Sequence, residues 1–401
     1  MRFLLLNQTF YPDVVSTSQH LTDLALGLIE HGHAVTVVAG RQAYDNRQVT
    51  FARRENWSGI EIHRVYSTGY RRKSKWPRAM DFVSFMLSCC LRMASLPRHD
   101  IVVALTTPPL ISFFGAWRAR LWRSRFCYWV MDFNPDEAIA AGLLRANSAP
   151  SRILERMSRF SLHQADSIIA VDDFMKTRMV AKGIAAEKIA VIPPWSHDDA
   201  VEFNASGRKQ FRKIHDFEDR FVVMYSGNHS PVHPLDTLLK AAENLRANPE
   251  IMFCFVGGGS EFERVKKWAT ESGSNALCLP YQPLNYLSAS LSAADLHVVI
   301  MGDLFVGLVH PCKIYNILTV GAPVLYIGPR SGHLIEILTR LGQRHFWGYC
   351  AHGDVENTTN QVLRLMNALR NRPRQVPIEV TAAFSKSVLL PRMISELEKL
   401  Q

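Results

Sequence analysis

Short, almost wholly apolar runs alternate with amphipathic stretches along the entire chain. Arg2 to Asn7 is the first such run, as expected of a strand buried on both faces of a parallel sheet. Ser16-Thr17-Ser18-Gln19 has capping-box spacing, and Leu21, Leu24, Ala25, Leu28 and Ile29 then share one helical face as far as Gly32. Ala34 to Ala39 reads as the next strand, which completes a βαβ opening. Further strands are predicted at 60–65, 101–105, 126–131, 167–171 and 189–192. Beyond the polar stretch Ser196–Glu218 the pattern restarts, with strands at 221–225, 252–256, 277–279, 296–300 and 324–327. Helices fall between them. The first has Pro234 placed for its opening turn, and a final helix is predicted from Phe384 to Leu400.

Regular alternation of strand and helix predicts an α/β protein made of two doubly wound, Rossmann-like domains facing a cleft. The expected boundaries are 1–193 for the first domain, 194–218 for a linker, 219–380 for the second domain and 381–401 for a C-terminal helix. Ligands of such folds lie outside the carboxyl ends of the strands. The opening βαβ unit lacks G-x-G-x-x-G, which argues against a nicotinamide or flavin site there.

Three loops of the second half end strands and open helices, where backbone N–H groups gather anions. They are Gly227-Asn228-His229-Ser230-Pro231, Gly257-Gly258-Gly259 and Gly307 to Lys313, which includes His310. Three such loops on one sheet edge fit a single phosphorylated ligand. Lys313 could neutralise a diphosphate, and Asn316, three residues on, could bond a ribose. His229 and His233 lack a third ligand at suitable spacing, so no metal site is assigned. In the first half, Asp132, Asp136 and Glu137 follow a strand, where a carboxylate can orient or deprotonate an acceptor hydroxyl.

Charge adds a partner. The 401 residues carry 46 Lys and Arg against 36 Asp and Glu, a net +10. The excess concentrates in Arg71–Arg78, with Arg72, Lys75 and Trp76, and in Trp117–Arg125, with Arg120. Cations and aromatics beside an apolar helix suit an anionic membrane surface. No run reaches the roughly 20 apolar residues of a spanning helix, and no secretory signal is visible. The seven scattered cysteines form no C-x-x-C, which suits a reducing compartment. A peripheral protein on the inner face of the cytoplasmic membrane is expected. Nucleic acid is not, because no recognition helix, RNP-type aromatics or zinc module is present.

Several segments jointly resemble the family 4 glycosyltransferases of the GT-B fold. These are Phe10-Tyr11-Pro12-Asp13, Leu162 to Ile192, Phe255 to Gly259, Ala293-Ala294-Asp295 and Gly321 to Leu325. Val130 to Glu137 is similar to relatives that build bacterial surface polysaccharides. The resemblance implies sugar transfer from a nucleotide-diphosphate donor to a glycan or lipid-linked acceptor, usually retaining and without a metal cofactor. It implies that the donor lies in 219–380, a nucleotide-sugar-binding domain, and the acceptor against 1–193, an acceptor-side domain, with the helix 381–401 packing back on the first domain. From the loops themselves, the expected donor contacts are Gly227, Asn228, His229, Ser230, Gly257, Gly258, His310, Lys313 and Asn316, and the expected catalytic residues are Asp132 and Glu137.

Three features depart from the family. A glutamate pair is replaced by Leu308 and Asn316; an Arg and Lys after the second domain's first strand are missing from His229–His233; paired glycines in the first loop are Val15 and Ser16. Two other readings fit the same fold, a sugar-nucleotide 2-epimerase and a non-catalytic nucleotide-sugar binder.

Overall fold

The computed structural model describes residues 1–13, 15–43, 49–68, 75–272, 275–342, 345–369 and 372–401. The chain divides into two compact units, Met1–Pro194 with Leu389–Gln401, and Trp195–Val388. Each is a layered α/β structure, as the alternating pattern predicts.

The first unit holds eight strands: β1 (Arg2–Leu6), β2 (Ala34–Gly40), β3 (Arg54–Trp57), β4 (Ile60–Val65), β5 (Ile101–Ala104), β6 (Arg125–Val130), β7 (Ser167–Ala170) and β8 (Ile189–Val191). Their order is β3-β4-β2-β1-β5-β6-β7-β8, parallel throughout except for the β3–β4 pair. β5 and β7 are buried along their whole length, which explains their continuous apolar sequence. β3, Arg-Glu-Asn-Trp, is an edge strand too polar to be recognised by hydrophobicity.

The first helix, Ser16–Glu30, buries Leu21, Leu24, Ala25 and Leu28 as its spacing predicts. Its capping box does not form: Val15 is the N-cap, without a side-chain bond, and Ser16 is already helical. The chain end is a 3-10 turn, Ala382–Phe384, followed by the helix Lys386–Glu398, in place of one continuous helix. Its last residues belong to the first unit, where Ile394 lies so close to Gly27 that an added methyl there would meet it at 2.8 Å.

The second unit has six parallel strands: β9 (Phe221–Asn228), β10 (Ile251–Gly258), β11 (Ala276–Leu279), β12 (Leu296–Ile300), β13 (Val324–Ile327) and β14 (Trp347–Cys350). The order β11-β10-β9-β12-β13-β14 reverses direction between β9 and β12, which opens a crevice at their carboxyl ends. The polar stretch 194–218 read as a linker carries the helix Ala205–Ile214, which is built into this unit. Phe211 joins the core with Val222, Met224 and Cys254, while Asp295 binds Arg208 at 2.5 Å and Arg212 at 2.9 Å. Pro234 precedes its helix by two residues, since the helix runs Asp236–Asn244. Among the described residues no helix is long and apolar enough to cross a membrane.

Candidate active site

In the second unit, β9 and β10 each run past their apolar core into glycine. Gly227 pairs with Gly257, and Asn228 with Gly258. Gly227 and Gly257 have φ of +137° and +139°, a region that side chains avoid. A Cβ on Gly257 would stand 2.0 Å from the Gly227 carbonyl oxygen. Gly257→Ala is therefore expected to cost stability, about 1–3 kcal/mol from backbone strain alone, read as a lower urea midpoint with an unchanged m-value.

This close approach leaves room for Lys313, the first residue of the helix Lys313–Thr319. Its ammonium sits 4.1 Å above the Tyr225 ring centroid and donates to the Tyr225 hydroxyl at 2.9 Å. Tyr225 in turn donates to the Asn228 carbonyl at 2.7 Å. A Cβ on Gly227 would lie 2.9 Å from Lys313 Nζ. The structure thus brings Gly227, Asn228, Gly257, Gly258 and Lys313 to one mouth at the carboxyl ends of β9 and β10. Among the described residues no carboxylate pairs with Lys313, and burial pushes its ammonium down to about 7.

Other expected donor contacts are placed differently. His229 is fully buried, edge-on to Tyr225 and Phe262, and donates from Nδ1 to the Gly227 carbonyl at 3.0 Å. Burial first, and then the charge of Lys313, hold it down at about 4, so it is neutral near pH 7. It braces the glycine turn as a neutral ring, so the phosphate contact expected of it would come from Nε2, which has no hydrogen-bond partner among the described residues, and not from a positive charge. His233 braces the Ile300 carbonyl in the same way, at 2.7 Å. Ser230 remains available, its hydroxyl having no partner among the described residues. Asn316 Oδ1 already accepts the His197 N–H at 3.1 Å, which leaves only its amide N–H groups for a ribose. His310 is buried, bonds Tyr315 Oη at 2.5 Å and stacks on His333 at 3.8 Å. Leu308, in place of a family glutamate, is core.

Tyr225 was not anticipated as a functional residue. Its signal was a hydroxyl-bearing ring closing the apolar run Phe221–Tyr225 immediately before a glycine loop. Tyr281 is a second such residue, with its ring against Gly258.

In the first unit, β6 leads into Met131-Asp132-Phe133-Asn134-Pro135 and the short helix Asp136–Ala140. The three nearby acids separate by environment. Asp136 is bound by Lys182 at 2.6 Å, which also holds Glu155, and this is a structural ion pair. Asp132 and Glu137 have no cationic partner among the described residues. Burial, and next the charge of Glu137, raise Asp132 well above the usual carboxylate range. Burial also raises Glu137, against a bond donated by Asn134 Nδ2 at 3.0 Å. Asp132 caps no helix; its own N–H donates to Thr106 Oγ1. Carboxyl groups held proton-loving at a strand end are suited to take a proton from a hydroxyl.

The basic segments do not present one uniform face. Arg118 is buried and ties Met93, Leu96 and Pro97 carbonyls at the end of the helix Lys75–Ser95, with its guanidinium 3.7 Å above Trp122. Arg125 pairs with Asp166. Arg120 is exposed. Arg72 lies outside the described residues, as do the side chains of Lys75 and Trp76. Alongside Arg120, the helix Lys75–Ser95 exposes Met80, Val83, Leu87 and Leu91, and the helix Ile111–Trp122 exposes Trp117 and Leu121. The opposite side of the longer helix buries Phe85, Cys89 and Met93.

Comparison with known proteins agrees with the fold. The family model described as a glycosyl transferase 4-like domain matches residues 17–195, and the one described as glycosyl transferases group 1 matches 207–327. WcaI of Escherichia coli K12, whose name assigns it to colanic acid biosynthesis as a glycosyl transferase, is 24% identical over 359 residues. The match covers 86% of this chain and 85% of that protein. Among solved structures, sucrose-phosphate synthase from Thermosynechococcus elongatus superimposes with a TM-score of 0.77 at 14% identity, covering 100% of this chain and 99% of the other. Anabaena HepE in complex with UDP-glucose gives 0.74 at 14% identity, covering 100% of both. Two adjacent family matches, on two Rossmann-like units with a cation at the glycine-lined edge of the second, leave one conclusion: this chain belongs to the family 4-like glycosyltransferases of the GT-B fold.

Proposed function

We propose that the second unit takes a nucleoside-diphosphate sugar and that the first takes a lipid-linked or glycan acceptor, in the synthesis of a cell-surface polysaccharide. The observation that carries this reading is Lys313, an ammonium without a carboxylate partner among the described residues, beside the amide-rich turns at 227–228 and 257–259. Such a group stabilises the charge that develops on a departing diphosphate. In this reading Ser230 and the turn amides add neutral donors, Asn316 meets the ribose, and the proposed product retains the donor's anomeric configuration. Asp132, with Glu137 beside it, orients the acceptor hydroxyl and accepts its proton. The likeness to WcaI supports the polysaccharide role, and the HepE complex makes a UDP-sugar the first donor to test.

The exposed apolar side chains of the helices Lys75–Ser95 and Ile111–Trp122 support docking on the anionic inner leaflet of the cytoplasmic membrane. Replacement of the family glutamates by Leu308 and Asn316 favours a second reading, a nucleotide-sugar binder without turnover.

Nucleotide release from a panel of UDP-, GDP- and ADP-sugars, with and without lipid extract as acceptor, tests both. Release that requires acceptor is the expected result. Isomerised sugar without acceptor would identify an epimerase, and saturable binding without release would identify the second reading.

A further inference from the structure

The carboxyl edge of the first sheet carries a second cationic feature, distant in sequence from the carboxylates. Arg41 directly follows β2, its N–H bonded to the Val65 carbonyl at the end of β4. Arg64 is the next-to-last residue of β4, and its N–H bonds the Arg53 carbonyl. Ser88 and Arg92 come from one side of the helix Lys75–Ser95, at i and i+4. These side chains line a cavity of about 450 Å³. Among the described residues no carboxylate lines it.

Arg64 gives the cavity a built floor. It is 96% buried (4% exposed). Its Nε and Nη2 bond Glu55 at 3.2 and 2.5 Å, and Nη2 also reaches the Tyr11 carbonyl at 2.7 Å. Nη1 has no partner among the described residues. Glu55 offsets the charge of Arg64, and Arg41, Arg53 and Arg92 remain without ion-pair partners among the described residues. Arg41, Arg53 and Arg92 around one cavity with no carboxylate in its lining among the described residues suit an anionic oxygen ligand.

The same helix presents Leu87 and Leu91, 60% and 75% exposed, beside this opening. Fixed cations next to exposed leucines match an amphiphile with a phosphate head and a hydrocarbon tail. We propose that this cavity binds the phosphate of a lipid, with the tail lying over Leu87 and Leu91. The inference rests on the membrane reading of the first unit and adds a discrete headgroup site to it. Bulk anionic phospholipid and an isoprenoid-phosphate acceptor offer the same chemistry.

Flotation of the full chain separates the sources. The vesicles are phosphatidylcholine alone, phosphatidylcholine with phosphatidylglycerol, or phosphatidylcholine with undecaprenyl phosphate. The expected result is preferential capture by one or both phosphate-bearing sets. Arg41→Gln with Arg92→Gln should weaken that capture about tenfold, and Leu87→Ser with Leu91→Ser should abolish capture by all vesicles. Capture that the leucine pair destroys and the arginine pair leaves intact keeps the membrane reading and overturns the headgroup site.

If no vesicle captures the chain, the membrane reading falls, and inorganic pyrophosphate decides the site. It is titrated by phosphorus NMR in a Lys313→Ala background, which silences the donor mouth. Line broadening lost on adding the arginine pair upholds the site; broadening unchanged by that pair, or absent, overturns it.

Discussion

Lys313→Ala is expected to lower kcat/KM for the nucleotide sugar by about 10²–10³-fold, the loss typical of removing one preorganised charge donor from a transition state. Thermal stabilisation by UDP should disappear with it. Among the described residues the ammonium is the one cation at the glycine mouth, because His229, the other candidate, is buried and neutral. A pH signature accompanies the loss. Burial depresses Lys313 to about 7, so in the free protein the cation is progressively lost as pH rises through that value.

Donor affinity should therefore fall with increasing pH above about 7, and binding at pH 8 should draw in a proton. Calorimetry in two buffers of different ionisation enthalpy measures that uptake, which Lys313→Ala should abolish. Stability runs the opposite way. An unfolded lysine keeps its proton to about 10.4, so the unfolded state binds more protons between the two values. Folding stability accordingly gains as pH rises through that window. A donor affinity that stays level from pH 6 to 9 would remove Lys313 from the diphosphate.

Lys313 and the three glycine loops were legible in the sequence because strand, glycine and helix start follow one another there in a fixed local order. The strands were legible for a related reason. Parallel strands covered on both faces need nearly uninterrupted apolar residues, so β12 and β13 can be read off residue by residue. β3 and β14 escaped because an edge strand need bury only part of its surface, and Arg54-Glu55-Asn56-Trp57 and Trp347-Gly348-Tyr349-Cys350 carry no continuous apolar run.

Partners remote in sequence were not legible at all. Nothing near Asp136 indicates Lys182, 46 residues away, yet that pair is what separates Asp136 from its neighbours Asp132 and Glu137. Likewise a run of arginines does not reveal its inward member. Arg118 is drawn into the protein by three helix-end carbonyls, while Arg120, two residues on, stays in solvent. The orphan N–H of Arg64 was equally hidden, since it depends on how Glu55 and the Tyr11 carbonyl occupy the rest of one guanidinium.

Asp132→Asn provides the second large effect, and it moves two observables in opposite directions. Turnover should fall by about 10²–10⁴, the range for loss of a positioned proton acceptor. Stability near neutral pH should rise. Burial, with Glu137 adding like charge, lifts the Asp132 carboxyl far above its unfolded value, so between those two values the folded state holds the extra proton. Stability therefore falls as pH climbs through that interval, and the neutral amide escapes the penalty.

A carboxylate placed only to cap a helix would behave otherwise, losing stability on the same change. Glu137→Gln separates the two acids further. Removing its negative charge lowers Asp132, so the acid limb of the kcat/KM profile should shift to lower pH while substantial turnover survives. Melting temperature and pH profile of the two variants, measured side by side, decide the matter. A lower melting temperature for Asp132→Asn with turnover intact would make Asp132 a framework residue and leave the acceptor proton to another group.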